Sequence, residues 1–305
     1  MNTIIETKQL SKQFKKEPVI KSLNFTLNEG EICALIGKNG AGKSTLFKML
    51  AGQIYPSSGE MYLFGKSKDK LNDSKKRMGF MIEAPEFFPD FTAIQNLEYF
   101  RQQRGVTEKR RINEVLELVG LTEQKTKKFN AYSMGMRQRL GIALCLLSSP
   151  DCLVLDGPIN GLDTEGIKDI RNLLLKLNQE HHITILVSSH ILTELQIIAD
   201  RFVFLKDGEI AEDISKEALE KKSEKQICIS VDDQAKAVQL LERTYPTIQY
   251  QVMPEQLIIV YNYIEEAGKI NRLLVDHDVL VAEFRIESYK LEEYFLELVG
   301  ESDHD

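Results

Sequence analysis

The run EICALIGKNGAGKST, residues 31–45, decides the fold. EICALIG is a short apolar stretch leading straight into glycine, the pattern of a strand buried on both faces. GKNGAGKST, residues 37–45, fits the spacing G-x-x-x-x-G-K-[ST] of a phosphate-binding loop. STLFKMLAG, residues 44–52, then reads as a helix, and strand, glycine loop and helix together open a βαβ unit. The chemistry fits the spacing. Gly37, Lys38, Asn39, Gly40, Ala41 and Gly42 form a loop of mostly small residues whose backbone N–H groups curl around a β-phosphate, and the helix behind it points its positive end at that anion. Lys43 reaches the β- and γ-phosphates, Ser44 offers a hydroxyl to Mg²⁺, and Thr45 completes the loop. Binding of a magnesium nucleotide is the expectation that follows.

Working outward, CLVLD (152–156) and ITILVSSH (183–190) are two further strands of the buried, parallel kind, and GIKDIRNLLLKLNQEHH between them has helical spacing. Residues 3–30 and EMYLFGK suggest alternating strands at a sheet edge. From about 92 to 148 the chain reads mainly as helices, including NLEYFRQQR and EVLELVGL. This predicts an α/β fold: a mostly parallel core sheet, an antiparallel edge sheet and a helical subdomain at about 85–150, all within residues 1–215. Past FVFLKDGEIAE the charged run KEALEKKSEK (216–225) suits a linker helix or a solvated connection. Alternating β and α patterns over 226–305 then predict a small α+β domain, closed by a helix at LEEYFLELVG, residues 291–300.

The bulk numbers bound the function. The 305 residues are 43% hydrophobic and 28% charged, an ordinary globular composition. A formal net charge of -7 argues against nucleic acid as a partner, since phosphate backbones need a basic surface. Cys33, Cys145, Cys152 and Cys228 form no CxxC pair and read as reduced core residues. The N-terminus lacks the apolar core of a signal peptide, and no apolar run reaches the roughly 20 residues that span a bilayer. A cytoplasmic chain is expected, with any membrane supplied by another protein.

With these residues in hand, the chain resembles the ATP-binding subunits of ATP-binding-cassette (ABC) transporters across residues 1 to about 215. YSMGMRQRLGIA (132–143) matches the family's signature, usually LSGGQ; Ser133 and Gly135 keep the positions that the family turns toward the γ-phosphate of ATP on the opposite subunit, while Met134 and Met136 depart from it. The resemblance puts Phe14 at the adenine-stacking aromatic, Asp156 at the aspartate that orders Mg²⁺ through water, and NGLD, ending in Asp163, at the loop that communicates across a two-fold dimer. It puts His190 at the switch histidine beside the γ-phosphate. It implies a P-loop NTPase fold, ATP and Mg²⁺ as cofactors, a homodimer with ATP at its interface, and an integral-membrane permease as partner, the whole peripheral on the inner face of the membrane.

Two positions depart from the family. MGFMIEAPEFF (78–88) puts Glu83 where the family has a glutamine that contacts Mg²⁺ and water, a change known from transporters for bacitracin-type and lantibiotic self-protection; SMGMRQRLGIA, PINGLD and EEYFLELVG resemble that subgroup too. In CLVLDGPINGLD (152–163), Gly157 occupies the position of the glutamate that activates water. Glycine takes no proton, and general-base catalysis typically contributes about 10²–10⁴ in rate. Three readings stay open: a change within an otherwise active lineage, partial substitution by Glu83 with His190, or a switch that binds ATP and rarely turns over. An antimicrobial-peptide exporter subunit is the expectation from the resemblance; an ATP-dependent clamp or a regulatory module uncoupled from transport is the alternative.

Overall fold

The computed structural model describes residues 2–67, 70–83, 86–222, 225–288, 294, 295 and 298. It divides into two compact units, Met1–Lys216 and Glu217–Asp305.

In the first unit a three-stranded antiparallel sheet, order β2-β1-β4, is built from β1 (Thr3–Phe14), β2 (Glu17–Asn28) and β4 (Ser58–Leu63). From Leu23 on, every second residue of β2 turns inward: Leu23, Phe25 and Leu27 are buried against Leu46, Phe47 and Leu50 of α1 (Lys43–Ala51). A second sheet has six strands in the order β5-β6-β7-β3-β8-β9. Its members are β3 (Ile32–Ile36), β5 (Met78–Met81), β6 (Cys152–Asp156), β7 (Thr184–Ser188), β8 (Arg201–Lys206) and β9 (Glu209–Ser215). The first five pair in parallel; β9 alone runs antiparallel, to β8. All five residues of β3 and of β7 are buried, which is why these strands read as unbroken apolar runs.

The short helix α2 (Leu71–Lys75) precedes β5. The helical segment then contains α3 (Ala93–Gln103), α4 (Arg111–Leu118) and α5 (Met134–Leu146). Thr92 and Gln95 start α3 with a reciprocal capping box. Two arginines finish α5: Arg104 donates to the Leu144 carbonyl at 2.7 Å and Arg111 to the Leu146 carbonyl at 2.9 Å, so cations meet the negative end of that helix. The apolar face of α6 (Thr164–Gln179) buries Ile170, Leu173, Leu174 and Leu177, and α7 (Leu192–Ile198) follows β7.

Of the two readings of 216–225, a linker helix or a solvated connection, the structure has a helix, α8 (Lys216–Lys222), with Leu219 buried, and the next strand begins at Lys225, the last residue of that stretch. The second unit is a split βαβ arrangement. Strands β10 (Lys225–Val231), β11 (Tyr250–Met253), β12 (Leu257–Val260) and β13 (Val281–Ser288) form an antiparallel sheet, order β11-β12-β10-β13. Ile227, Ile229 and Val231 alternate onto one face and pack with Leu241 of α9 (Gln234–Thr244) and Ile270 and Leu274 of α10 (Ala267–Asp276). The β pattern IQYQVMPEQLIIVY between the two helices is a hairpin, because Glu255 and Gln256 turn left-handed between β11 and β12. The expected closing helix, 291–300, lies outside the described residues apart from Tyr294, Phe295 and Leu298. Among the described residues no helix is long and apolar enough to cross a membrane.

Candidate nucleotide site

Strands β6, β7 and β3 are neighbours, and their carboxyl ends together supply the site, as expected of a doubly wound sheet. After β3 the chain makes a tight loop into α1. A Cβ at Gly37 would stand 2.5 Å from the Leu205 carbonyl oxygen, and at Gly42, where φ is +108°, one would stand 2.5 Å from Ile20 Cδ1. Only glycine lets the loop pass at both places. Lys43 is 8% exposed, and its Nζ donates to the carbonyls of Gly37 at 2.5 Å and Lys38 at 3.0 Å. The loop therefore closes around its own ammonium, with Asn39, Gly40 and Ser44 left exposed. Burial pushes the Lys43 pKa down, and the Asp156 carboxylate opposes that shift.

Asp156 ends β6 in register with Ser188 of β7. Ser44 Oγ donates to Asp156 Oδ2 at 2.6 Å and Ser188 Oγ to Oδ1 at 2.5 Å. A carboxylate and a hydroxyl facing each other are hard oxygen donors, the set Mg²⁺ prefers, and the cradle before them carries one buried cation at the start of α1. The residues present fit a magnesium nucleotide.

Gly157 follows with φ +63° and is buried; its N–H donates to the Ser188 carbonyl at 3.0 Å. A Cβ there would stand 2.3 Å from Nδ2 and 3.0 Å from Cγ of Asn160. The Asn160 carboxamide thus fills the root of the absent side chain, and Ser189 Oγ donates to its Oδ1 at 3.5 Å. His190, next in sequence, is exposed and makes no hydrogen bond or ion pair among the described residues. Glu83 has φ +64°, and its Oε1 accepts from Lys48 Nζ at 2.7 Å. Its carboxylate rests against α1 and hydrogen-bonds neither His190 nor a residue of the phosphate loop.

The remaining expected residues form a second group. Ser133 caps α5, its Oγ accepting from the Met136 N–H at 3.3 Å. Nothing lies nearer than 4.0 Å to a Cβ built on Gly135, so the backbone there is bare. Asp163 caps α6, accepting from the Gly166 N–H at 3.0 Å. Ser133, Gly135 and Asp163 line one open cavity of about 370 Å³, and no phosphate-loop residue lines it. Within one chain the two groups do not share that cavity. Phe14, at the end of β1, is 47% exposed, with Lys12 Nζ 5.0 Å from its ring centroid.

Two residues escaped the sequence reading, Ser188 and Lys48: Ser188 was visible as the polar end of an apolar strand, and Lys48 stands one helical turn beyond Ser44. Asn160 opens the NGLD stretch, but its place against Gly157 follows from the fold.

The sequence profile of the ABC transporter family matches residues 20–160. The bacitracin transport ATP-binding protein BcrA of Bacillus licheniformis is 38% identical over 302 residues, covering 98% of both chains. The lantibiotic transport ATP-binding protein SrtF of Streptococcus pyogenes is 35% identical over 207 residues, 68% of this chain and 89% of that one. Among solved structures, the dimeric post-hydrolysis state of the ATP-binding cassette MJ0796 bound to ADP and Pi superposes with a TM-score of 0.62 at 27% identity, covering 70% of this chain and 99% of that one.

Proposed function

The chain belongs to the ATP-binding subunits of ABC transporters, ATPases coupled to transport, and from that premise we propose that it powers expulsion of an antimicrobial peptide of the bacitracin or lantibiotic type. The observation that carries the cargo is the similarity to a bacitracin transport ATP-binding protein over 98% of both chains, second unit included. The acidic Glu83 supports it. Deleting the gene in the native host is expected to raise sensitivity to bacitracin or a lantibiotic. Wild-type protein restores resistance and Lys43→Ala does not; unchanged sensitivity to both peptide classes sinks the cargo assignment.

In this reading the loop 37–45 grips the polyphosphate, Lys43 leaves the Gly37 and Lys38 carbonyls to meet it, and Phe14 stacks on the base. Ser44, with Asp156 and Glu83 through water, would hold magnesium, which when bound neutralises charge on the phosphates. The half-site of Ser133, Gly135 and Asp163 completes the pocket of a second copy, so two chains dimerise head to tail. Thr92 and Asn96 brace the segment that meets the permease. Asn96 is fully buried and holds both the N–H and the carbonyl of Phe88, leaving Phe88, Phe91 and Tyr99 part-exposed in one aromatic cluster with centroids 4.9 Å apart. Exposed aromatics in contact mark partner surfaces. Gly157 leaves binding intact and makes hydrolysis slow, with His190 beside the γ-phosphate.

A further inference from the structure

Ser44 and Lys48 lie four residues apart on α1, so their side chains leave the same helix face one turn from each other. Lys48 reaches across 35 residues of sequence to Glu83, Nζ to Oε1 at 2.7 Å. Glu83 adopts φ +64°, uncommon for a residue with a Cβ. The pair therefore fastens an acidic loop residue to the helix that carries the phosphate loop, one turn from the hydroxyl on Asp156.

That placement poses an electrostatic problem. A bound nucleotide is already polyanionic, and a carboxylate beside it repels where an amide would not. Lys48 cancels the added charge. We propose that Lys48 is a positioning residue for Glu83: its ammonium is the counter-charge that lets an acidic side chain stand at the nucleotide site, and it fastens the carboxylate to α1 one helical turn beyond Ser44. This rests on the reading of Glu83 as the metal-facing residue of its loop. The side chains are 33% and 71% exposed, so the pair adds little to folding stability and its variants are expected to fold.

The test is a double-mutant cycle in the full-length protein, reading the Kd of a fluorescent ATP analogue with EDTA and again with Mg²⁺, alongside melting temperature. Lys48→Met is expected to weaken metal-free binding by roughly three- to tenfold when Glu83 is present, and by about twofold or less in the Glu83→Gln background. Lys48→Arg is expected to keep wild-type binding. Equal weakening by Lys48→Met in both backgrounds overturns the proposal, because Lys48 would then act on the nucleotide alone. The magnesium arm separates the two claims: Glu83→Gln is expected to lose part of the affinity gained on adding Mg²⁺. If that gain is unchanged while the coupling persists, the metal-facing reading fails and the counter-charge role stands.

Discussion

The loops that follow β3 and β6 open on the same edge of the core sheet and differ in what they are made of. The first is made mostly of backbone and small residues, with a helix start and one buried lysine, and depends on few side chains. In the second, the proposed reading assigns the chemistry to a single position, which holds Gly157 with the Asn160 amide where a Cβ would stand. Affinity is distributed over many weak donors, whereas accepting a proton is the property of one group. On the proposed reading, the contrast implies that such a site would lose turnover before it lost its ligand.

The largest effect expected comes from filling that position. Gly157→Glu is expected to raise steady-state ATP turnover by about 10²-fold, with ATP affinity little changed. The left-handed backbone at 157 opposes it by about 1–2 kcal/mol, and the Asn160 amide has to swing aside. Adding Asn160→Ala is therefore expected to increase the gain. If the wild-type chain already turns over at the rate of the variant, the contrast between the loops dissolves, and Glu83 and His190 become the groups handling water.

Lys43→Ala tests the other side. It removes a charge-assisted contact of about 1.5–3 kcal/mol, so ATP affinity measured by titration falls roughly 10- to 150-fold. The smallest effect concerns the walls behind both loops. Burial pushes the Cys145 thiol up to about 12, and those of Cys33 and Cys152 higher still. Native protein at pH 8 is expected to resist alkylation at these three sites by mass spectrometry. The sign of the linkage follows: unfolded thiols ionise near pH ~8.5 while Cys145 keeps its proton, so the stability they contribute is complete below that pH and is lost as pH rises toward 12.

What was legible in sequence was what short spacing fixes. Residues 37–45 are a contiguous loop and helix start, and CLVLD maps onto β6 without a shift, since an apolar run ending in aspartate has few other uses. What depends on register across the sheet was not legible. Ser188 meets Asp156 because β6 and β7 pair in parallel at that level. Lys48 meets Glu83 through a left-handed turn that no local preference announces. The hairpin of β11 and β12 was hidden because its turn uses Glu255 and Gln256, residues that seldom mark one.

One contact at the far end of α5 has mechanical weight. Thirteen residues make that helix about 20 Å long, with Ser133 at one tip and the carbonyls gripped by Arg104 and Arg111 at the other. Arg104 terminates α3, the helix that bears Tyr99, and Arg111 begins α4. Two guanidinium contacts therefore tie the starts and ends of three helices to one corner, at the opposite tip of α5 from Ser133. If the proposed dimer forms, a push on Tyr99 of α3 would have a short route through a guanidinium to the rod that carries that serine.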